Sequence, residues 1–281
     1  MKTYLDCIPC FFRQALFAAR AVTEDEDKIK AILDKVGMLV PDIAMSHTPP
    51  ETAIRVYGIV REVTGVKDPF KPMKERAIKS ALGMVSVLRN MVRESQDPLE
   101  TAVRIAIAGN VIDFGANPEF HLEQEIRDAL EKPLAVDQYK AFGETLEHAE
   151  KILYLADNAG ETVFDRILIE VLEKPVTYIV RDVPIINDAT LEDAKESGLE
   201  EVASVLSSGC DAPGTLLSRC SRAFVERFSQ ADLIISKGQG NYETLSGERG
   251  PLFFLLKVKC PVIARHIGSE EGDIIIKRSQ V

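Results

Sequence analysis

The sequence predicts an α/β protein, a Rossmann-like three-layer open sheet with a helical N-terminal domain. Two observations lead there. Before residue 95 apolar residues recur at three- and four-residue spacing, and after about residue 150 short apolar runs alternate with helical patterns. A third observation gives the fold a purpose, because four of those runs end in polar, glycine-bearing turns. The division expected is a helical N-terminal domain over 1–96 and an α/β catalytic domain over 97–281.

In chain order, "CIPCFFRQALFAARAV" sets Phe11, Ala15, Ala18 and Val22 on one helical stripe, and "DKIKAILDKVGMLV" does the same with Ile29, Ile32, Leu33 and Val36. "HTPPETAIRVYGIVREVTG" reads as a punctuated helix: Thr48 as cap, prolines in the first turn, Glu51 three residues on, Gly65 as stop. Helical register continues through "DPFKPMKERAIKSALGMVSVLRNMVRES". In "LETAVRIAIAGNVIDFG" the β-branched residues allow a strand, but Ala102, Ile105, Ala106 and Gly109 form one small face, which favours a helix. The runs 152–157, 176–181, 202–209, 232–238 and 272–278 are then read as parallel strands joined by right-handed crossovers.

Composition narrows the function. With 46% apolar and 28% charged residues the 281-residue chain has the makings of a sizeable core. A net charge of −10 without a long basic block argues against a nucleic-acid partner. No run approaches 18 apolar residues and "MKTYLDCIPC" lacks the pattern of a signal peptide, so no membrane association and a cytoplasmic location are expected. Five scattered cysteines, Cys7, Cys10, Cys210, Cys220 and Cys260, do not form a disulfide framework. Cys7-x-x-Cys10 has no second pair with which to build a zinc site, and it opens a helix rather than following a strand; two packed thiols are the favoured reading, with a partial metal site or redox control left open. The four histidines show no ligand spacing.

The strand ends carry the chemistry. "LADNAGE", "IVRDVPIINDAT", "LSSGCDAPGT" and "IISKGQGNYE" each join a carboxylate, amide or cation to a turn. Asp157, Asn158 and Asp188 are hard oxygen donors suited to Mg²⁺ or Mn²⁺. Lys237 is a compact cation between residues that allow close approach, and the helix opened by Gly160 offers free N–H groups to a phosphate. Each piece also has a plainer reading: Asp157 or Asn158 as a cap, Asp188 as the cap of a helix near Thr190, "KGQGN" as a loop. Four such ends along one sheet edge favour a site.

"DNAGE", "INDAT", "ISKGQGNYETL" and "LLKVKCPVIA", with "AGNVIDFG" upstream and "CIPC" at the start, resemble the metal-dependent damage-control phosphatases, once grouped as domain-of-unknown-function family 89, and within them the prokaryotic Cys-x-x-Cys branch. The resemblance covers nearly the whole chain. It implies a divalent metal (Mg²⁺, Mn²⁺, Co²⁺ or Ni²⁺) held by Asp157, Asn158 and Asp188, and hydrolysis of small phosphorylated substrates such as sugar phosphates or damaged phosphometabolites. It further implies phosphate or leaving-group contacts from Lys237, Gly238, Gly240, Asn241 and Glu243, and places Asn110 and Asp113 near the site. Arg181 is expected as a phosphate clamp and Glu161 as a residue that orients water. Water is favoured over a ligand carboxylate as nucleophile, and Lys237→Ala is expected chiefly to raise KM. Two other functions compete: a carboxyl methyltransferase using S-adenosylmethionine, against which stands the lack of a glycine-rich fingerprint after the first strand, and a non-catalytic phosphometabolite-binding protein, to which the carboxylates would be superfluous.

Overall fold

The computed structural model describes residues 1–109 and 120–280. Five helices come first: α1 (Cys7–Arg20), α2 (Glu26–Leu39), α3 (Pro49–Thr64), α4 (Lys71–Glu94) and α5 (Pro98–Ala108). The predicted punctuation of α3 holds. The Glu51 carboxylate accepts the Thr48 N–H at 2.6 Å, and Gly65 closes the helix in the left-handed region at φ 73°. The ambiguous segment after Asp97 is the helix α5, capped by the Asp97 carboxylate on the Glu100 N–H at 2.9 Å.

The sheet layer follows as α6 (Phe120–Glu131), β1 (Leu134–Asp137), α7 (Tyr139–His148), β2 (Ile152–Leu155), α8 (Thr162–Leu172), β3 (Val176–Val180), α9 (Leu191–Glu196), β4 (Ser204–Ser207), α10 (Arg222–Gln230), β5 (Leu233–Lys237), α11 (Gly238–Leu245), β6 (Leu252–Lys257), α12 (Pro261–Ile267) and β7 (Ile274–Arg278). Seven strands lie in the order β1-β7-β6-β5-β2-β3-β4. All pairs are parallel except β6 with β7. Both faces are covered, so β2 and β5 are buried along their whole length, which is why their sequences read as unbroken apolar runs rather than alternating ones.

Two strands and one direction differ from the sequence reading. β1 is only four residues long and half exposed, too short for a periodic signal, and β6 sits in "LFFLLK", an apolar run that helix and strand fit equally well. The last strand runs antiparallel to β6, to which the chain returns through the seven-residue α12.

Helices α1 to α3 close over their own core of Phe11, Ile32, Val56, Val60 and Phe70. The helix α4 instead sends Ile78, Ala81 and Leu88 into the core beneath one sheet face. Its Lys74 is buried and salt-bridged at 2.9 Å to both Asp68 and Asp193, tying α4 to α9. No described helix is long and apolar enough to cross a membrane.

Candidate functional site

Successive crossovers move outward from β2 to β3 and β4, and the chain then returns to place β5 on the other side of β2. The strand order therefore reverses between β2 and β5, and the crevice of such a sheet lies beyond the carboxyl ends of those two strands. Ala156, Asp157 and Asn158 leave β2 there; Lys237 and Gly238 leave β5 beside them. The chain leaving β3 loops back to join them. Ile186 turns it at φ 46°, a left-handed conformation rare for a β-branched residue. Ala189 N–H then donates to the Asp157 carbonyl at 2.8 Å, Ala159 N–H to the Asn187 carbonyl at 2.8 Å, and Asn158 pairs with Asp188 in an isolated antiparallel bridge. Backbone pairing thus brings three residues from two loops to one point.

Asp157, Asn158 and Asp188 all line a cavity of about 400 Å³. Its other walls come from α1, with Cys7, Cys10 and Arg13, from α11, with Gln239, Gly240 and Glu243, and from the β6–α12 turn, with Lys259 and Cys260. Asn158 holds the N-cap position of the 3-10 turn at 159–161 but its side chain makes no cap hydrogen bond, and Asp188 does not cap α9. Thr190 does that, in a capping box with Asp193. The side chains of Asn158 and Asp188 are therefore not spent as helix caps.

The electrostatics of the cluster favour a cation. Burial pushes the Asp157 carboxyl up to about 8, with Glu161 and Asp188 adding and Lys259 and Arg181 opposing. Asp188 is likewise raised by burial, against the Arg181 guanidinium at 2.7 Å. Among the described residues no group of three or more His, Cys, Asp or Glu side chains forms a ready metal cage. The set is two carboxylates and one amide, and the amide is oriented. Asn158 Nδ2 donates to Asp157 Oδ2 at 3.1 Å and to Glu161 Oε1, and among the described residues nothing hydrogen-bonds its Oδ1. All-oxygen donors with open positions fit a hard divalent cation that keeps part of its water shell.

Several expected ligands stand one layer below the cavity. Lys237 is fully buried, and its ammonium lies 3.0 Å from Glu161 and 2.6 Å from Asp165; the expected phosphate contact is corrected to an internal ion pair, which holds the amine above its usual range despite desolvation. Arg181 is no open clamp. Its guanidinium is consumed by Asp188 at 2.7 Å, Thr215 at 3.1 Å, Asn241 at 3.0 Å and the Ala156 carbonyl at 3.4 Å. Asn241 is buried, and its amide donates to the carbonyls of Ala156 and Lys237 at 2.9 and 2.8 Å, locking the ends of β2 and β5 together. Glu161 is turned to Asn158 and Lys237.

"KGQGN" is not a loop but the start of α11. Gly238 adopts φ 76°, and a Cβ there would stand 1.9 Å from Asp157 Oδ2; a Cβ at Gly240 would stand 2.7 Å from the Pro213 carbonyl. Glu243 faces the cavity, its carboxyl raised to about 7 by burial and countered by Gln239, whose Nε2 donates to it at 3.1 Å. Asn110 and Asp113 lie outside the described residues.

Sequence reasoning missed Lys259, Arg13, Gln239 and Asp165. Lys259 had a signal, since it follows an apolar run just as Asp157 does, and treating "LFFLLKV" as a strand would have placed it at the crevice. Arg13 and Asp165 had none, because only packing brings α1 over the crevice and only the fold turns Asp165 inward. Cys7 and Cys10 stand in the first turn of α1 and line the cavity together with Cys260.

Residues 3–275 match the family described as the damage-control phosphatase ARMT1-like domain. The chain is 36% identical to a damage-control phosphatase of Pyrococcus horikoshii, over 100% of this chain and 99% of that one. It is 34% identical to a damage-control phosphatase of Archaeoglobus fulgidus, over 99% of each. It is also 37% identical to an uncharacterized protein of Methanocaldococcus jannaschii, over 99% of this chain and 96% of that one. The crystal structure of a DUF89 family protein from P. horikoshii superposes with a TM-score of 0.93 at 35% identity, covering 100% of both chains.

Proposed function

The chain belongs to the damage-control phosphatase ARMT1-like family, and from that premise we propose that it is a metal-dependent phosphatase acting on small phosphorylated metabolites, sugar phosphates or damaged phosphometabolites. The observation that carries the reading is the meeting of Asp157, Asn158 and Asp188 on one cavity that also holds Lys259 and Arg13. Acidic oxygens suit a cation, and the two basic side chains suit the oxygens of a phosphoryl group.

In this reading Asp157, Asp188 and the Asn158 amide oxygen hold a divalent ion. When bound, that ion supplies positive charge to a phosphoryl oxygen and offsets the charge gained in the transition state. Lys259 and Arg13 draw the remaining phosphoryl oxygens. Arg181 takes no part in binding; it holds Asp188 by a charge-assisted hydrogen bond of 2.7 Å and so fixes where its second oxygen points. Water is the nucleophile, because a carboxylate engaged as a ligand is a poor one. Glu243, with its carboxyl raised to about 7, sits on the same wall and can pass a proton to the leaving alkoxide, since an acid titrating near the working pH does this best.

The test is phosphate release from p-nitrophenyl phosphate and a panel of sugar phosphates, with Mg²⁺, Mn²⁺, Co²⁺ or Ni²⁺ and with chelator. Turnover is expected only with metal. Asp157→Ala should lower kcat about 10²–10³-fold, the equivalent of several kcal/mol of charge stabilisation, with far-UV circular dichroism unchanged. Turnover that survives chelation or this substitution would remove the reading.

A further inference from the structure

Beneath the cavity lies a chain of charged and polar groups that the proposed mechanism does not use. Asp165, on the first turns of α8, is completely buried. Its Oδ1 accepts from the Tyr154 hydroxyl and its Oδ2 from the Tyr178 hydroxyl, both at 2.7 Å, and these two rings stack with centroids 5.1 Å apart on the adjacent strands β2 and β3. Oδ1 also receives the Lys237 ammonium at 2.6 Å. Lys237 reaches Glu161 Oε2 at 3.0 Å, and Glu161 Oε1 accepts the Asn158 amide N–H.

Burying a carboxylate, an ammonium and a second carboxylate is costly unless each is held in good geometry, and an apolar cluster would fill this space with less penalty. What such a series supplies instead is direction. An amide side chain has two nearly isosteric ends, and the groups around it decide which end faces which way. Glu161, paired with an ammonium, offers acceptor oxygens only. It therefore takes the N–H end of Asn158 and leaves Oδ1, the end able to ligate a cation, facing the crevice.

We infer that Asp165 is a positioning residue: anchored by Tyr154 and Tyr178, it fixes Lys237, and the Lys237–Glu161 pair sets the Asn158 amide with its oxygen toward the cavity. This rests on the metal-dependent reading of the cavity given above. The anchor comes from the rigid centre of the sheet, while the ligand it governs sits in a turn. The sheet thereby adds a second acceptor for the Asn158 amide to the one that Asp157 Oδ2 offers from its own loop. Outer hydrogen-bond partners of metal ligands commonly act in this manner.

The experiment is titration calorimetry of Mn²⁺ into metal-stripped wild type, Asp165→Asn and Tyr178→Phe, together with kcat and the Mn²⁺ concentration for half-activation. Asp165→Asn should weaken Mn²⁺ binding about 10–100-fold, as loss of such a partner does, and Tyr178→Phe should weaken it by a smaller factor in the same direction. Saturating Mn²⁺ should restore most of kcat in both, a rescue that general loosening of the fold would not give. Should Asp165→Asn fail to fold, Tyr178→Phe decides, since it deletes one hydroxyl and leaves the stacked rings in place. Wild-type Mn²⁺ affinity in either folded variant overturns the inference. A wild type that binds no Mn²⁺ would instead overturn the metal-dependent reading on which it rests.

Discussion

Removing the Lys237 ammonium would leave Asp165 and Glu161 facing each other without a counter-charge in a fully buried space. Stranding a buried charge in this way costs about 3–5 kcal/mol. Lys237→Met should therefore lower stability by about that amount in a denaturant titration, and not act mainly through KM as a solvent-facing phosphate ligand would. A variant of normal stability with a raised KM would return Lys237 to the cavity. The residue type and its place at a strand end were readable from "IISKGQGN", but its orientation was not. A strand-terminal side chain can turn outward or back over the sheet, and here the buried carboxylate of Asp165 settles the matter. Arg181 followed the same course, drawn inward by Asp188, whereas Asp157, Asn158 and Asp188 stayed on the cavity because backbone pairing holds them there.

Among the elements, α5 shows how far local pattern reaches. Its small face predicted a helix against the pull of its β-branched residues, and the face is small because α8 passes close by. A Cβ on Gly109 would stand 2.8 Å from Phe164 Cγ, inside any real contact distance, and Phe164 is itself fully buried. Gly109→Ala should consequently destabilise the protein by about 1–3 kcal/mol through overpacking, read as a shift in the unfolding midpoint. An unchanged midpoint would mean that α5 and α8 can move apart at no cost. The capping box of α3 was legible because it lies within four residues. β6 was hidden because its five successive apolar residues carry no period, and the direction of β7 was hidden because nothing in its own residues separates parallel from antiparallel pairing.

For the molecule as a whole, bringing acidic side chains together at the crevice couples folding to pH and, in the proposed reading, to cation binding. Asp157 titrates near 8 in the fold against a reference value of 3.8, so its contribution to stability is complete below the lower value and is lost as pH rises through about 8. A cation on the cluster must displace the proton below pH 8 and need not above it. The rise in unfolding temperature produced by Mg²⁺ should thus grow between pH 6 and pH 8.5, and the comparison with and without Mg²⁺ at each pH cancels groups remote from the cavity. A pH-independent increment would separate Asp157 from the ion. By itself the sequence determined the helix-then-sheet order, the strand ends at which polar residues gather and the family to which those motifs point, since each is written in contiguous residues whose local preferences and neighbours suffice. Only the tertiary structure decided which of those polar groups meet in one cavity, that Arg13 and Lys259 join them, and that Lys237, Arg181 and Asn241 turn inward as supports. The physical reason is that orientation is set by partners distant in the chain, and a buried charge goes where its counter-charge lies.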